Sequence, residues 1–199
     1  AKVVAQRYPR PGRPNAKVDL YVQPLNGPPV KVDLGADADV YLARVAWAKD
    51  GKTLYVQRQS RDQRRLDLLA IDPATGKGAV ILTETSPHWV DITDDFRPLK
   101  DGTFLWSSER SGYQHLYLFG RDGKLIRQVT NGDWPVNQIE GVDEAAKTVI
   151  FSAHQDSPGE RRIYSVSYAK PGKPKALTPA GGWWTVTVAD KGGAFAGTY

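Results

Sequence analysis

Few residues of this chain are of types that make or break bonds. The three histidines, His88, His115 and His154, have no His-x-x-x-His or His-Glu-x-x-His spacing, so none reads as half of a metal pair. A nucleophile elbow of the form Gly-x-Ser-x-Gly, with Asp and His following, is absent. Cysteine is absent too, which removes thiolate catalysis, disulfides and cysteine-held metals. Ala46-Trp47-Ala48-Lys49-Asp50-Gly51-Lys52-Thr53 matches a Walker-type loop with Ala at its first position. A phosphate cradle must open a helix, however, and Leu54-Tyr55-Val56 continues as a strand, so the match reads as a hairpin turn.

The remaining polar clusters are modest. Asp91, Asp94 and Asp95, in Asp91-Ile92-Thr93-Asp94-Asp95, offer oxygen ligands but lack the Gly and terminal Glu of a calcium loop. They read as a strand-end turn, with cation binding as the alternative. Glu109, in Ser107-Ser108-Glu109-Arg110-Ser111-Gly112, opens a hairpin turn and can meet either Arg110 or a ligand. His115 reads as a structural hydrogen-bonding tie between repeats. Trp89, Trp134, Trp183 and Trp184 read as packing residues, with sugar or base stacking as the weaker alternative.

What positions these residues is an internal repeat. Leu34, Leu82, Val129 and Leu177 each close a strand-like phrase and are spaced by 48, 47 and 48 residues. A second series, starting at Val18, Leu66, Leu116 and Ile163, runs ahead of it in steps of 48, 50 and 47. A third comprises Thr53-Leu54-Tyr55-Val56, Thr103-Phe104-Leu105-Trp106, Thr148-Val149-Ile150-Phe151 and Gly193-Ala194-Phe195-Ala196. A fourth opens each unit at Tyr41-Leu42-Ala43, Trp89-Val90-Asp91, Trp134-Pro135-Val136 and Trp184-Thr185-Val186.

Four short β-rich runs per unit, separated by turn residues, predict four antiparallel strands per repeat, the pattern of a β-propeller blade. The fold class expected is all-β, a β-propeller fragment. Residues 17–34 give a half blade, 40–83, 88–130 and 134–178 whole blades, and 183–199 another half blade. On this reading residues 1–199 start and stop in mid-blade, and open strand edges should favour self-association of the isolated segment.

Composition agrees. The 199 residues are 40% hydrophobic and 25% charged, an ordinary globular balance. Six tryptophans, 19 glycines and 14 prolines suit strands and tight turns rather than a helical bundle. No run approaches the roughly 18 apolar residues of a membrane span, and no basic-then-apolar leader pattern opens the chain. The net charge of +5 gathers in two clusters, Arg7 to Arg13 and Arg58 to Arg65, interrupted by Pro, Gln or Asp. A solvated face explains them better than nucleic-acid binding, which needs a denser basic stripe. The absence of methionine, even at position 1, adds to the expectation of a segment of something longer.

Several phrases carry a resemblance. Tyr8-Pro9, Gly12, Asn15 and Val18-Asp19-Leu20-Tyr21-Val22 resemble the Tyr-Pro-x-x-Gly-x-x-Asn-x-x-Val stretch of the dipeptidyl peptidase IV family. Ser108-Glu109-Arg110-Ser111-Gly112-Tyr113-Gln114-His115-Leu116-Tyr117 is similar to that family's Ser-x-Glu-x-Gly-Tyr-x-His-Leu-Tyr hairpin. Val129-Thr130-Asn131-Gly132-Asp133-Trp134-Pro135-Val136 resembles its Leu-Thr-x-Gly-x-Trp-x-Val link between blades, and Ile163-Tyr164-Ser165-Val166 the strand that follows.

The resemblance implies a serine exopeptidase that releases N-terminal dipeptides with Pro or Ala second. An eight-bladed propeller would cover a C-terminal α/β-hydrolase domain that carries Ser, Asp and His. The propeller would gate access and supply a Glu-Glu pair for the substrate's ammonium group. Two carboxylates on one cation select a free N-terminus at a fixed distance from the scissile bond. No Glu-Glu dipeptide occurs here; Asp143-Glu144 comes nearest and falls in a hairpin turn.

In family order the pair precedes Ala1 and the hydrolase follows Tyr199, so no catalytic residue, metal or cofactor is assigned to this segment. The loop after the blade-opening Trp helps line the substrate's second pocket in the family, which points to Asp91, Asp94 and Asp95 as substrate-binding residues. His115, Glu109, Trp89 and Trp134 are expected to be structural. The implied partners are a peptide substrate and the hydrolase domain, with a homodimer of the parent left open and no nucleic acid. Relatives suggest the periplasm or cell envelope. The competing reading is a non-enzymatic propeller that binds a protein partner.

Overall fold

The computed structural model describes residues 12–199; the Tyr8-Pro9 phrase and most of the first basic cluster lie outside the described residues. Alternating apolar and polar residues between glycine-bearing turns make strands throughout, and none of the described residues is helical. The chain divides into two compact units, one ending at Asp91 and the other starting at Ile92.

The first unit begins with a two-stranded antiparallel sheet, β1 (Tyr21–Val22) and β2 (Val30–Lys31). A four-stranded antiparallel meander follows, in chain order: β3 (Val40–Trp47), β4 (Leu54–Ser60), β5 (Arg65–Ile71) and β6 (Gly78–Thr85). Val32, Leu54, Val56, Leu69 and Ile71 form its core, and Leu20, Val22, Leu34 and Leu42 pack against them. Burial of these branched side chains, each contributing roughly 1.5–3 kcal/mol, holds the small sheet on the larger one. At Gly76 (φ +71°) the β5–β6 turn meets the strand exit: its carbonyl accepts from Asp33 N at 2.8 Å. A Cβ there would stand 2.0 Å from the Lys31 carbonyl oxygen, so only glycine fits.

The second unit holds two more four-stranded meanders. The first comprises β7 (Arg97–Pro98), β8 (Phe104–Ser108), β9 (His115–Phe119) and β10 (Leu125–Gln128). The second comprises β11 (Val136–Asp143), β12 (Thr148–Ala153), β13 (Arg162–Ser167) and β14 (Lys175–Ala176). A final pair, β15 (Thr185–Val188) and β16 (Phe195–Thr198), completes the unit. Leu105, Leu116 and Leu118 of one meander share a single core with Val149, Phe151, Tyr164 and Val166 of the next. Stacked rings reinforce it: Trp134 on Phe151, and Phe151 on Tyr164. These repeated antiparallel four-stranded sheets are the all-β fold class expected from the repeat.

One strand differs from its expected position. Trp89-Val90-Asp91 is irregular, and the edge strand of its meander is β7, six residues further on. The backbone of Val90 is already used by the preceding hairpin: its N–H donates to Gln63 O at 2.8 Å, and its carbonyl accepts from Gln59 Nε2 at 2.9 Å. A segment bonded this way has no free ladder groups for a new sheet.

Candidate functional site

The Walker-type letters form the β3–β4 hairpin. Ala48 N donates to Thr53 O at 2.9 Å, Gly51 N to Ala48 O at 2.9 Å, and Lys52 N to Asp50 Oδ1 at 3.0 Å. Strand β4 follows directly, so no helix N-terminus points at a phosphate.

The Ser108–His115 hairpin presents Glu109 to solvent, whereas Arg110 folds back. Arg110 Nε donates to Ser108 Oγ at 3.0 Å, and its guanidinium carbon lies 5.0 Å from the Tyr117 ring centroid and 5.2 Å from that of Phe119. Tyr117 OH donates to Ser111 Oγ at 2.8 Å, closing the hairpin on itself.

His115 is 1% exposed and fully engaged. Its Nε2 lies 2.9 Å from the Gly132 carbonyl oxygen, so Nε2 carries the proton. Nδ1 must then accept, and Thr130 Oγ1, 3.1 Å away, supplies the hydroxyl proton. Thr130 Oγ1 in turn accepts the Leu116 N–H at 2.9 Å. This relay needs a neutral imidazole, and burial lowers the His115 pKa, outweighing the opposing effect of the Gly132 bond. Trp134 stands edge-on to the imidazole at 5.1 Å, so His115 and Trp134 together join β9 to the strand that begins the next meander.

A pattern invisible in any single phrase appears here. Strand register makes Asp67, and not the Arg65 that the Leu66 series implies, the counterpart of His115 and Arg162, at spacings of 48 and 47 residues, and each bonds to the threonine that closes its own sheet. Asp67 Oδ1 accepts from Thr83 Oγ1 at 2.7 Å; Arg162 Nη2 donates to the Thr178 carbonyl at 2.6 Å, while Ile163 N donates to Thr178 Oγ1 at 3.2 Å. One repeat position thus carries an anion, a neutral ring and a cation in the same fastening role. Asp67 also accepts from Arg58 Nη2 at 2.8 Å and Arg65 Nε at 2.9 Å. Burial pushes its carboxyl up, but the bonds from Arg58, Thr83 and Arg65 outweigh it and hold the group below the usual range. Arg162 also pairs with Asp156, which accepts from Tyr164 OH at 2.9 Å. Sequence reading missed Asp67 and Arg162, although the phase of Thr83, Thr130 and Thr178 pointed to them.

The three aspartates of the acidic stretch have separate surroundings. Asp91 is exposed and accepts from Trp89 Nε1 at 3.0 Å, beside an indole that is itself 60% exposed. Asp94 is exposed, and its carbonyl accepts from Arg97 Nη1. Asp95 is 2% exposed; its Oδ1 accepts the Ile139 N–H at 2.6 Å. Arg97 Nη2 donates to the Ile139 carbonyl at 3.1 Å, so one residue of β11 is held by both its backbone groups. Beside it, Glu140 pairs with Arg161 at 2.9 Å, and Arg161 also donates to Ser152 Oγ at 3.2 Å. Burial raises the Asp95 pKa against the lowering effects of the Ile139 N–H, Arg97 and Ser107; Glu140 adds a smaller rise. Among the described residues, no three His, Asp or Glu side chains are placed to hold one metal ion. The arrangement is therefore one of fastenings and exposed loops.

Comparison with known proteins is consistent across the chain. The sequence profile described as "Dipeptidyl peptidase IV (DPP IV) N-terminal region" matches residues 1–199. "Probable dipeptidyl peptidase 4" of Aspergillus flavus is 28% identical over 210 residues, covering 97% of this chain and 27% of that protein. "Inactive dipeptidyl peptidase 10" of Rattus norvegicus is 27% identical, covering 80% of this chain and 22% of its own length. The crystal structure of Porphyromonas gingivalis dipeptidyl peptidase 4 superposes with a TM-score of 0.79 at 27% identity, over 86% of this chain and 24% of that one. The chain spans about a quarter of the length of the relatives it matches. It belongs to the dipeptidyl peptidase IV N-terminal region family, and its sheets are part of that region's β-propeller.

Proposed function

We propose that this chain is the propeller segment of a dipeptidyl peptidase IV-like serine exopeptidase that releases N-terminal X-Pro or X-Ala dipeptides. The observation that carries the reading is the family match from residue 1 to 199, together with relatives named dipeptidyl peptidase 4. In this reading the segment gates substrate and packs against a C-terminal α/β-hydrolase domain, and the bond-breaking residues belong to that domain. The loop that follows Trp89 borders the peptide through its exposed carboxylates at Asp91 and Asp94, while Asp95 fixes the course of the segment through Ile139. His115 and Trp134 serve the scaffold, whereas Trp89 and Glu109, expected to be structural, stand exposed. No cofactor takes part.

The second reading, a propeller that binds a partner without cutting, is favoured by the relative named inactive dipeptidyl peptidase 10. Sequencing the coding DNA through both ends of the segment separates the two. The peptidase reading expects a Glu-Glu pair upstream and Gly-Trp-Ser-x-Gly downstream, with Asp and His after it. A downstream α/β domain that lacks the elbow serine, or further blades without any elbow, would leave a binding module.

A further inference from the structure

We propose that Asp95 and Arg97 form a clasp on the backbone of Ile139, joining two consecutive four-stranded sheets, and that it tightens when Asp95 takes up a proton and loosens when it loses one. Strands β7 and β11 are edge strands of their respective sheets. An edge presents unpaired N–H and C=O groups that must find partners when buried. At Ile139 both are taken by side chains of the neighbouring sheet's leading segment: the N–H by Asp95 Oδ1 at 2.6 Å and the C=O by Arg97 Nη2 at 3.1 Å. The clasp sits where the β11–β12 register shifts, between Ile139 and Gly141. Strand β7 is two residues long, pairing only Arg97 with Leu105 and Pro98 with Phe104, so its ladder holds the 93–96 segment weakly. The side-chain clasp supplies the connection that strand pairing does not.

The charges around the clasp are few and defined. Arg97 lies on the same segment, Ser107 on β8 lowers the Asp95 pKa, and Glu140 on β11 is paired with Arg161, which precedes β13. A protonated Asp95 keeps one oxygen as acceptor for the Ile139 N–H and places no charge in the buried site. An ionised Asp95 keeps the N–H bond but leaves a carboxylate at a site 2% exposed to water.

Opening the clasp returns that carboxylate to water, where it titrates near its ordinary value of 3.8. The closed form binds the proton more tightly because burial raises the group. Linkage then fixes the sign: between 3.8 and the raised value, raising the pH favours opening, by at most about tenfold per pH unit. Above the raised value the dependence on this group ends.

Hydrogen exchange of the Ile139 amide, expressed as a protection factor across pH 4 to 8, tests this. In the wild-type chain, protection should fall as pH rises through the titration of Asp95 and then level off, while the Val166 amide in the middle of β13 keeps its protection. Asp95→Asn keeps the acceptor oxygen and cannot ionise, so protection at Ile139 should be flat with pH and equal to or above wild type at pH 8. Asp95→Ala should lower protection at Ile139 tenfold or more at every pH. A pH-independent wild type, or an Asp95→Asn variant that retains the wild-type slope, would overturn the proposal even if Asp95→Ala fails to fold.

Discussion

Replacing Thr130 with Val removes one hydroxyl and strands two partners. Thr130 Oγ1 accepts the Leu116 N–H at 2.9 Å and lies 3.1 Å from His115 Nδ1, which depends on the hydroxyl proton. Thr130, Leu116 and His115 are all buried, so water cannot enter to replace the lost bonds. Val has nearly the shape of Thr and creates no cavity; the loss is polar. An unpaired buried group costs roughly 1–3 kcal/mol, so two together cost roughly 2–4 kcal/mol after partial relaxation.

For a chain of this size that is a fall of roughly 4 to 16 °C in melting temperature. Thr130→Ser keeps the hydroxyl and should remain within about 1 kcal/mol of wild type. Urea unfolding followed by near-ultraviolet circular dichroism, with the slope held common, reads both variants. Equal stabilities for Thr130→Val and wild type, or equal losses for Val and Ser, would refute the hydrogen-bond relay.

Three further outcomes follow from the same geometry. Because burial lowers the folded pKa of His115 below its ordinary 6.5, its contribution is fully present above 6.5 and is lost as pH falls from there through the lowered folded value. His115→Ala should be less stable at pH 8 but lose less on acidification from pH 7 to 5, as read by denaturant midpoints. Asp67→Asn should cost about 3 kcal/mol at pH 7, because the largely buried Arg58 loses its counter-charge. That difference should shrink as pH falls below 3.8 towards the depressed folded value, where wild-type Asp67 also loses its charge. Gly76→Ala combines a positive φ with a Cβ that would stand 2.0 Å from the Lys31 oxygen; it should cost more than about 1 kcal/mol and loosen the β1–β2 sheet, read as lost amide protection at Asp33.

The repeat makes most of the fold legible in the sequence. Strands alternate at fixed spacing, and phrases such as Thr53-Leu54-Tyr55-Val56 and Thr103-Phe104-Leu105-Trp106 recur because each sheet needs the same central strand. The expectation at Trp89-Val90-Asp91 failed for a non-local reason: Gln59 and Gln63 bind the Val90 backbone, and side-chain type carries no sign of that. Asp95 shows the same limit. Read with Asp91 and Asp94 it forms an acidic run, but its bond to Ile139 spans 44 residues and commits it to the interior. His115 was legible as a buried tie because an imidazole between Gln114 and Leu116 on an apolar strand needs partners. Its relation to Asp67 and Arg162 was not, since three unlike side chains fill one position and similarity of type hides the equivalence.

Hydrolysis of dipeptidyl anilides tests the central claim most directly. The complete protein that carries this segment is predicted to release anilide from a substrate with a free N-terminus and Pro second, and to leave the N-acetylated substrate intact, while the 199-residue chain alone releases none. Turnover by the isolated chain, or a folded complete protein that cleaves neither substrate, would contradict the account.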